Sequence, residues 1–266
     1  ECLRPYAPDF AAFRAPGLVP VGKPGLWAAT PVNWKSVCDV DNEGYHVALA
    51  HPALQELYGR TYTDVFHDNG LFQSSATYGD RPGRRWSVRQ YVTLSPLQDW
   101  LPPHLRRAWN YYGMFPNTVF IFTPEYVQYY AEIPISISET RMAYATYRQP
   151  DETRQTRAAR YLGLRIDRQT SAEDQQLTVW SNESMKSKAF DGFHLSDLEY
   201  GVRQHHDKVR ALIPVATLES APPEGRIENR IFLPSNETHG SEMLAPVKFV
   251  IGETTPSAEM GEALSA

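Results

Sequence analysis

Two strand-like runs around a turn, with helical periodicity beyond a proline, constrain this chain's fold more than any other feature. Residues 118–122 and 127–133 flank a turn near Pro124-Glu125, which is a hairpin pattern. Residues 141–147 continue as a further strand, and residues 86–92 alternate in part and read as another. Neighbouring strands with hairpin spacing call for an antiparallel sheet. Upstream, residues 33–60 read as mostly helical, broken at Pro52 and again at Gly59. Beyond Pro150, Ser171-Ala172-Glu173-Asp174 and Ser196-Asp197-Leu198-Glu199 both have the form of a capping-box helix start. Leu198, Val202, His205, Val209 and Leu212 recur at three- and four-residue spacing. That is one buried stripe of an amphipathic helix, ending before Pro214. Strands first and a long closing helix later define an α+β class.

Composition bounds what such a domain does. The 266 residues suffice for one sizeable core. A net charge of −5 favours no nucleic acid, and no apolar run approaches the roughly 20 residues of a membrane helix. Two cysteines, Cys2 and Cys38, far apart in sequence, suit a reducing cytoplasm rather than a disulfide framework. Residues 1–32 are rich in proline and read as an extended connecting segment with one short strand. From 221 to 266 the pattern fades into a weakly structured tail, with a strand-like island at 247–251.

The chemistry lies in residues 33–52. His46 and His51 stand five apart, behind Asn33-Trp34-Lys35 and Glu43. Two imidazoles and a carboxylate form the facial triad of mononuclear non-haem iron(II) oxygenases. On an ideal helix, positions five apart point about 140° away from each other. Joint ligation therefore requires a helix end or distortion between them.

This run resembles the catalytic-domain signature of Rieske-type non-haem iron oxygenases, the ring-hydroxylating family. Asn33-Trp34-Lys35 opens the pattern, Glu43 takes its acid position, and His46 and His51 match its two iron histidines. Tyr111-Tyr112-Gly113-Met114-Phe115-Pro116-Asn117, Arg157-Ala158-Ala159-Arg160-Tyr161-Leu162 and Ala172-Glu173-Asp174-Gln175-Gln176-Leu177 extend the likeness across residues 20–220. Glu43, where many members carry Asp, is similar to the branch that oxidises glycine betaine, stachydrine and carnitine.

The resemblance implies a helix-grip (START-like) fold, a curved antiparallel sheet around a long C-terminal helix. It implies Fe(2+) held by His46, His51 and an acid matching the family's Glu-Asp pair, which puts Asp174 first. It implies O2 and a small-molecule substrate, electrons from a ferredoxin or flavin reductase, and a homotrimer. In this family the acid at the position of Glu43 bridges a Rieske histidine of a neighbouring subunit to an iron histidine. A Rieske [2Fe-2S] cluster needs two cysteines and two histidines, and neither Cys2 nor Cys38 begins such a pair. The expected organisation is a linker from an absent Rieske domain at 1–32, a catalytic domain at 33–220 and the tail, in a fragment or truncated product.

Each assignment has a plainer rival. Asp174 stands three residues after Ser171 and could merely cap a helix; Glu173, Asp191 and Asp197 compete with it as ligand. Asp39 and Asp41 compete with Glu43. Trp109, Tyr111, Tyr112, Phe115, Phe120, Phe122, Tyr126, Tyr129 and Tyr130 form a core or a pocket, alternation placing about half on each sheet face. His205 and His206 offer themselves as extra ligands, although His205, mid-helix on an apolar stripe, reads rather as a satisfied core histidine; His67, His104, His194 and His239 have no partner spacing, and no chemistry falls to them. The expected reaction is hydroxylation or N-demethylation, with aromatic ring hydroxylation second. A metal-free carrier of hydrophobic ligands and a zinc hydrolase are the other classes.

Overall fold

The computed structural model describes residues 3–67 and 70–213, together with the backbone of a strand at Val247–Val250. Nine strands make one sheet: β1 Val19–Pro20, β2 Gly25–Leu26, β3 Thr63–Phe66, β4 Leu71–Thr77, β5 Ala108–Met114, β6 Thr118–Phe122, β7 Val127–Ser136, β8 Glu139–Arg148 and β9 Val247–Val250. Their order is β1-β8-β7-β6-β5-β4-β3-β9, with β2 also on β8, and the pairs are antiparallel. β9 covers four residues of the expected island; the rest of the expected tail, and the expected segment before residue 3, lie outside the described residues.

The expected helix-grip (START-like) architecture needs correction. The class is α+β, but the sheet is open rather than closed or strongly curled. Among the described residues its edges never pair: β1 and β2 bond only β8, and β9 bonds only β3. The long helix is α6, Arg154–Ser184, with 31 residues, while α7, Tyr200–Leu212, has 13. The sheet has no need to wrap a single helix, because several helices together form the layer that covers its face. These are α2 Trp34–Asp41, α3 Val47–Ala50, α4 Pro52–Tyr58, α5 Trp86–Leu94 and α6.

Helix α5 replaces the strand expected at 86–92. Its buried residues Val88, Tyr91 and Val92 recur at three and four, the helical period, and partial alternation masked it. Ser171 begins no helix: it lies inside α6 and donates its Oγ–H to the Asp167 carbonyl at 3.0 Å. Ser196 does make a capping box with Glu199, leading through a 3-10 turn into α7. There Val202, His205 and Val209 are buried, whereas Leu212 is exposed.

Strand alternation sorts the two faces. Trp109 and Tyr111 of β5 turn to the helical layer, against Tyr58, Tyr91 and Ile166. Tyr112 turns the other way, with Leu71, Phe122 and Val127. That second face is closed by Tyr6 and Phe13, which flank the short helix α1, Ala7–Ala12. So the first 32 residues are partly built into the sheet and its cover, through α1, β1 and β2. Among the described residues no helix is long and apolar enough to cross a membrane.

Candidate metal centre

Asn33 caps α2 by accepting the Lys35 N–H at 3.1 Å, which fixes where this helical layer begins. After α2 the chain turns through Glu43 into α3. His46 caps the start of α3, and His51 is the hinge between α3 and α4, at φ −116° and ψ 78°. Pro52 is the cause: a residue before proline is driven out of the helical region. The break supplies the distortion that five-residue spacing required. It brings the rings together, Nε2 to Nε2 at 3.1 Å.

Asp174 reaches the same point from α6. Its Oδ1 lies 2.8 Å from His51 Nε2 and 3.5 Å from His46 Nε2. Asp174 sits well inside a helix that starts at Thr153, whose Oγ1 accepts the Thr156 N–H at 3.1 Å. A capping role is therefore excluded. His46, His51 and Asp174 each offer a ligand atom within 4.8 Å of the others, a triad of the mononuclear-iron kind.

The far sides of both rings are held. His46 Nδ1 donates to Glu43 Oε1, and Glu43 Oε2 also accepts the His46 backbone N–H at 3.1 Å. His51 Nδ1 donates to Glu173 Oε2 at 2.9 Å, and Gln169 Nε2 steadies the other oxygen of Glu173 at 2.9 Å. With Nδ1 of each ring held by a carboxylate, each Nε2 is left to face Asp174 Oδ1, which among the described residues meets these two nitrogens at 3.5 and 2.8 Å. A divalent cation that displaces the His46 proton would meet two imidazole nitrogens and a carboxylate oxygen here, an arrangement that fits a metal ion. Burial works against a charge on His46, but Asp174 and Glu43 outweigh it and carry its pKa to about 10. Burial would raise Asp174 too, and the two imidazoles instead hold it below the usual carboxylate range. The donor set, N2O with held outer nitrogens, fits a ferrous ion.

The competing acids fall elsewhere. Asp41 accepts the Tyr130 hydroxyl at 2.6 Å, Asp39 pairs with His206 at 2.7 Å, and exposed Asp191 faces His194 at 3.3 Å. Asp197 belongs to the turn before α7, and Glu173 holds His51 from behind.

The triad edges a cavity of about 120 Å³ between the helical layer and the sheet. Of the aromatic group read from the sequence, Tyr111 and Tyr130 line it, while Tyr112, Phe120 and Phe122 serve the opposite face. Trp27, Tyr62 and Tyr144 also line it and were missed, because each is isolated in sequence. Missed as well were two acids, Glu132 and Asp167. Alternation puts 128, 130 and 132 of β7 on one face, but only the packed fold shows that this face meets Asp167 of α6 across the cavity. Burial pushes Asp167 up to about 6, despite the Gln128 amide 3.2 Å away. Burial, followed by the charge of neighbouring Asp41, raises Glu132 well above its ordinary value.

The fold and this site define an α+β domain with a two-histidine, one-carboxylate metal centre. Residues 21–214 match the family of ring-hydroxylating alpha subunits, catalytic domain, and the chain belongs to that family. No curated protein sequence matches it closely enough to count as a relative. Among solved structures it is similar to a quaternary ammonium Rieske monooxygenase described for carnitine oxidation by gut microbiota. Identity is 19% and TM-score 0.59, over 79% of this chain and 55% of that one. The quaternary ammonium Rieske monooxygenase CntA with an inhibitor gives 18% and 0.60, over 79% and 55%. Naphthalene 1,2-dioxygenase from Rhodococcus sp. gives 16% and 0.52, over 79% and 61%. At such identities the likeness is one of fold. The chain spans just over half the length of the first two.

Proposed function

We propose that this chain is the oxygen-activating domain of a Rieske-type oxygenase that hydroxylates or N-demethylates a small cationic substrate. His46, His51 and Asp174 would hold the ferrous ion, which when bound supplies the activation of O2. The convergence of these three groups at the edge of a cavity between sheet and helices carries the reading.

The cavity supports a cation. Asp41, Glu132 and Asp167 also line it, and burial raises the pKa of all three. A positive ligand would lower the cost of ionising them. Tyr130, Tyr144 and Trp27 add ring faces, each worth about 0.5–2 kcal/mol toward an ammonium. The substrates bound in similar structures of CntA, L-carnitine and gamma-butyrobetaine, are of this kind. A flat aromatic ring, as for naphthalene dioxygenase, is the second reading; the aromatic lining favours it and the buried acids do not.

Glu43 holds the Nδ1 side of His46, away from Asp174, so its role is to orient that ring and carry electrons toward it from a cluster domain. Those electrons would come through a ferredoxin or flavin reductase. Removal of one N-methyl group consumes one O2, two electrons and two protons, and yields formaldehyde and water.

The test is anaerobic loading with ferrous iron followed by peroxide and a panel of N-methylated cations. About one iron per chain and formaldehyde release that disappears in His51→Ala are expected. No iron uptake would return the chain to the class of ligand carriers. Zinc retention with no peroxide-driven oxidation would favour a hydrolase.

A further inference from the structure

A second group of metal-ligating side chains lies outside the centre described above. Asp39 on α2 and His205 and His206 on α7 each offer a ligand atom within 4.8 Å of the others. His206 Nε2 is 2.7 Å from Asp39 Oδ1, and both side chains are partly exposed, so an ion has a route in from solvent.

His205 supplies the observation that points to an ion. It is 5% exposed, and its Nε2–H donates to the Pro116 carbonyl at 2.9 Å. That bond makes Nδ1 the lone-pair nitrogen, yet buried Nδ1 has no hydrogen-bond partner. A buried acceptor without a donor costs about 1–3 kcal/mol. Metal-bound histidines commonly show this arrangement, one nitrogen tied to a carbonyl and the other free for the ion. Trp34 and Phe115 pack against the ring at 5.7 and 5.4 Å between centroids and fix its orientation. Burial lowers its pKa, which keeps the ring neutral as a ligand must be. The Lys35 ammonium opposes an ion here, but Asn33 Oδ1 holds it at 2.7 Å.

We propose that Asp39, His205 and His206 form a second divalent-metal site, of the zinc type, that ties α7 to α2. Two imidazoles and one carboxylate suit zinc with water as the fourth ligand. One position stays open to water, unlike a zinc site closed by four protein ligands, and the ion would brace α2, which leads directly into the segment carrying Glu43 and His46.

The experiment is zinc titration of the metal-stripped full chain. Wild type is expected to bind two zinc ions, and His206→Ala and Asp39→Asn one each. In a His46→Ala/His51→Ala chain one site should remain, and cobalt substituted there should give a tetrahedral visible spectrum. Adding His206→Ala should then remove it, with circular dichroism reporting that the fold persists. Two zinc ions retained by both His206→Ala and Asp39→Asn would overturn the proposal, as would no zinc on the His46→Ala/His51→Ala chain. The outcome is independent of iron binding at the first site.

Discussion

His51 donates its Nδ1–H to Glu173 at 2.9 Å, while Asp174, the next residue of the same helix, faces its Nε2 at 2.8 Å. One turn of α6 therefore grips both sides of a single imidazole. Glu173 fixes the tautomer and Asp174 shares the resulting lone-pair site. Replacing Glu173 by Ala should weaken ferrous-ion affinity by roughly 10–100-fold with the fold retained. Glu173→Gln keeps an acceptor and should lose less. Iron titration of the two variants under anaerobic conditions compares them directly.

Pro52 predicts a second, backbone effect. It keeps His51 out of the helical region. Pro52→Ala would allow α3 and α4 to join as one helix, swinging the two rings apart. Metal affinity should fall by more than about tenfold, while stability changes by only about 0.5–1 kcal/mol. A large loss of stability with unchanged affinity would contradict this account of the hinge.

The metal centre should titrate. In the metal-free state the proton on His46 persists up to about pH 10, because Asp174 and Glu43 outweigh burial. A metal ion must displace that proton. Affinity should therefore rise with pH, about tenfold per pH unit between 6 and 9, and fall as the solution is acidified. Calorimetry in two buffers of different ionisation heat would show about one proton released per ion. Zero release would sink the argument.

Gly201 marks where α7 meets the rest of the molecule. A Cβ there would lie 2.1 Å from the Asn42 carbonyl oxygen and 2.2 Å from the Phe66 ring. The carbonyl belongs to the backbone and cannot step aside. Gly201→Ala should destabilise by about 1–3 kcal/mol or more through overpacking, read as a lower midpoint in urea.

Much of this was legible from local patterns. The β6–β7 hairpin, the breaks at Pro52 and Gly59 and the box at Ser196 depend on neighbouring residues, and each is present. That His46 and His51 come together was reachable because the pattern around Asn33 and Glu43 is short and continuous, whereas Asp174 joins them from a distant segment picked out only by the likeness of Ala172-Glu173-Asp174 to the family's Glu-Asp pair. The failures have physical causes. In α5, three apolar residues over a short span fit two periods, and burial against α6 decided for the helix. Ser171 looked like a helix start because its four-residue signature is indifferent to whether a helix is already running. The curl of a sheet is set by what covers it, and no strand carries that information. Glu132 and Asp167 were invisible for the same reason: two acids far apart in sequence share a cavity only after β7 and α6 have packed.

Helix α6 has one further consequence. It runs unbroken for 31 residues, and its Asp167 and Asp174 differ by seven, so they share a face. Adding or removing one residue between Thr153 and Asp174 would rotate everything beyond by about 100° and carry the carboxylate away from the histidines. Variation in chain length among relatives should therefore be absent from this stretch and concentrated in the loops. Any homologue with a one- or two-residue insertion here, a rotation of about 100° or 200°, has to recruit its oxygen ligand from a different position.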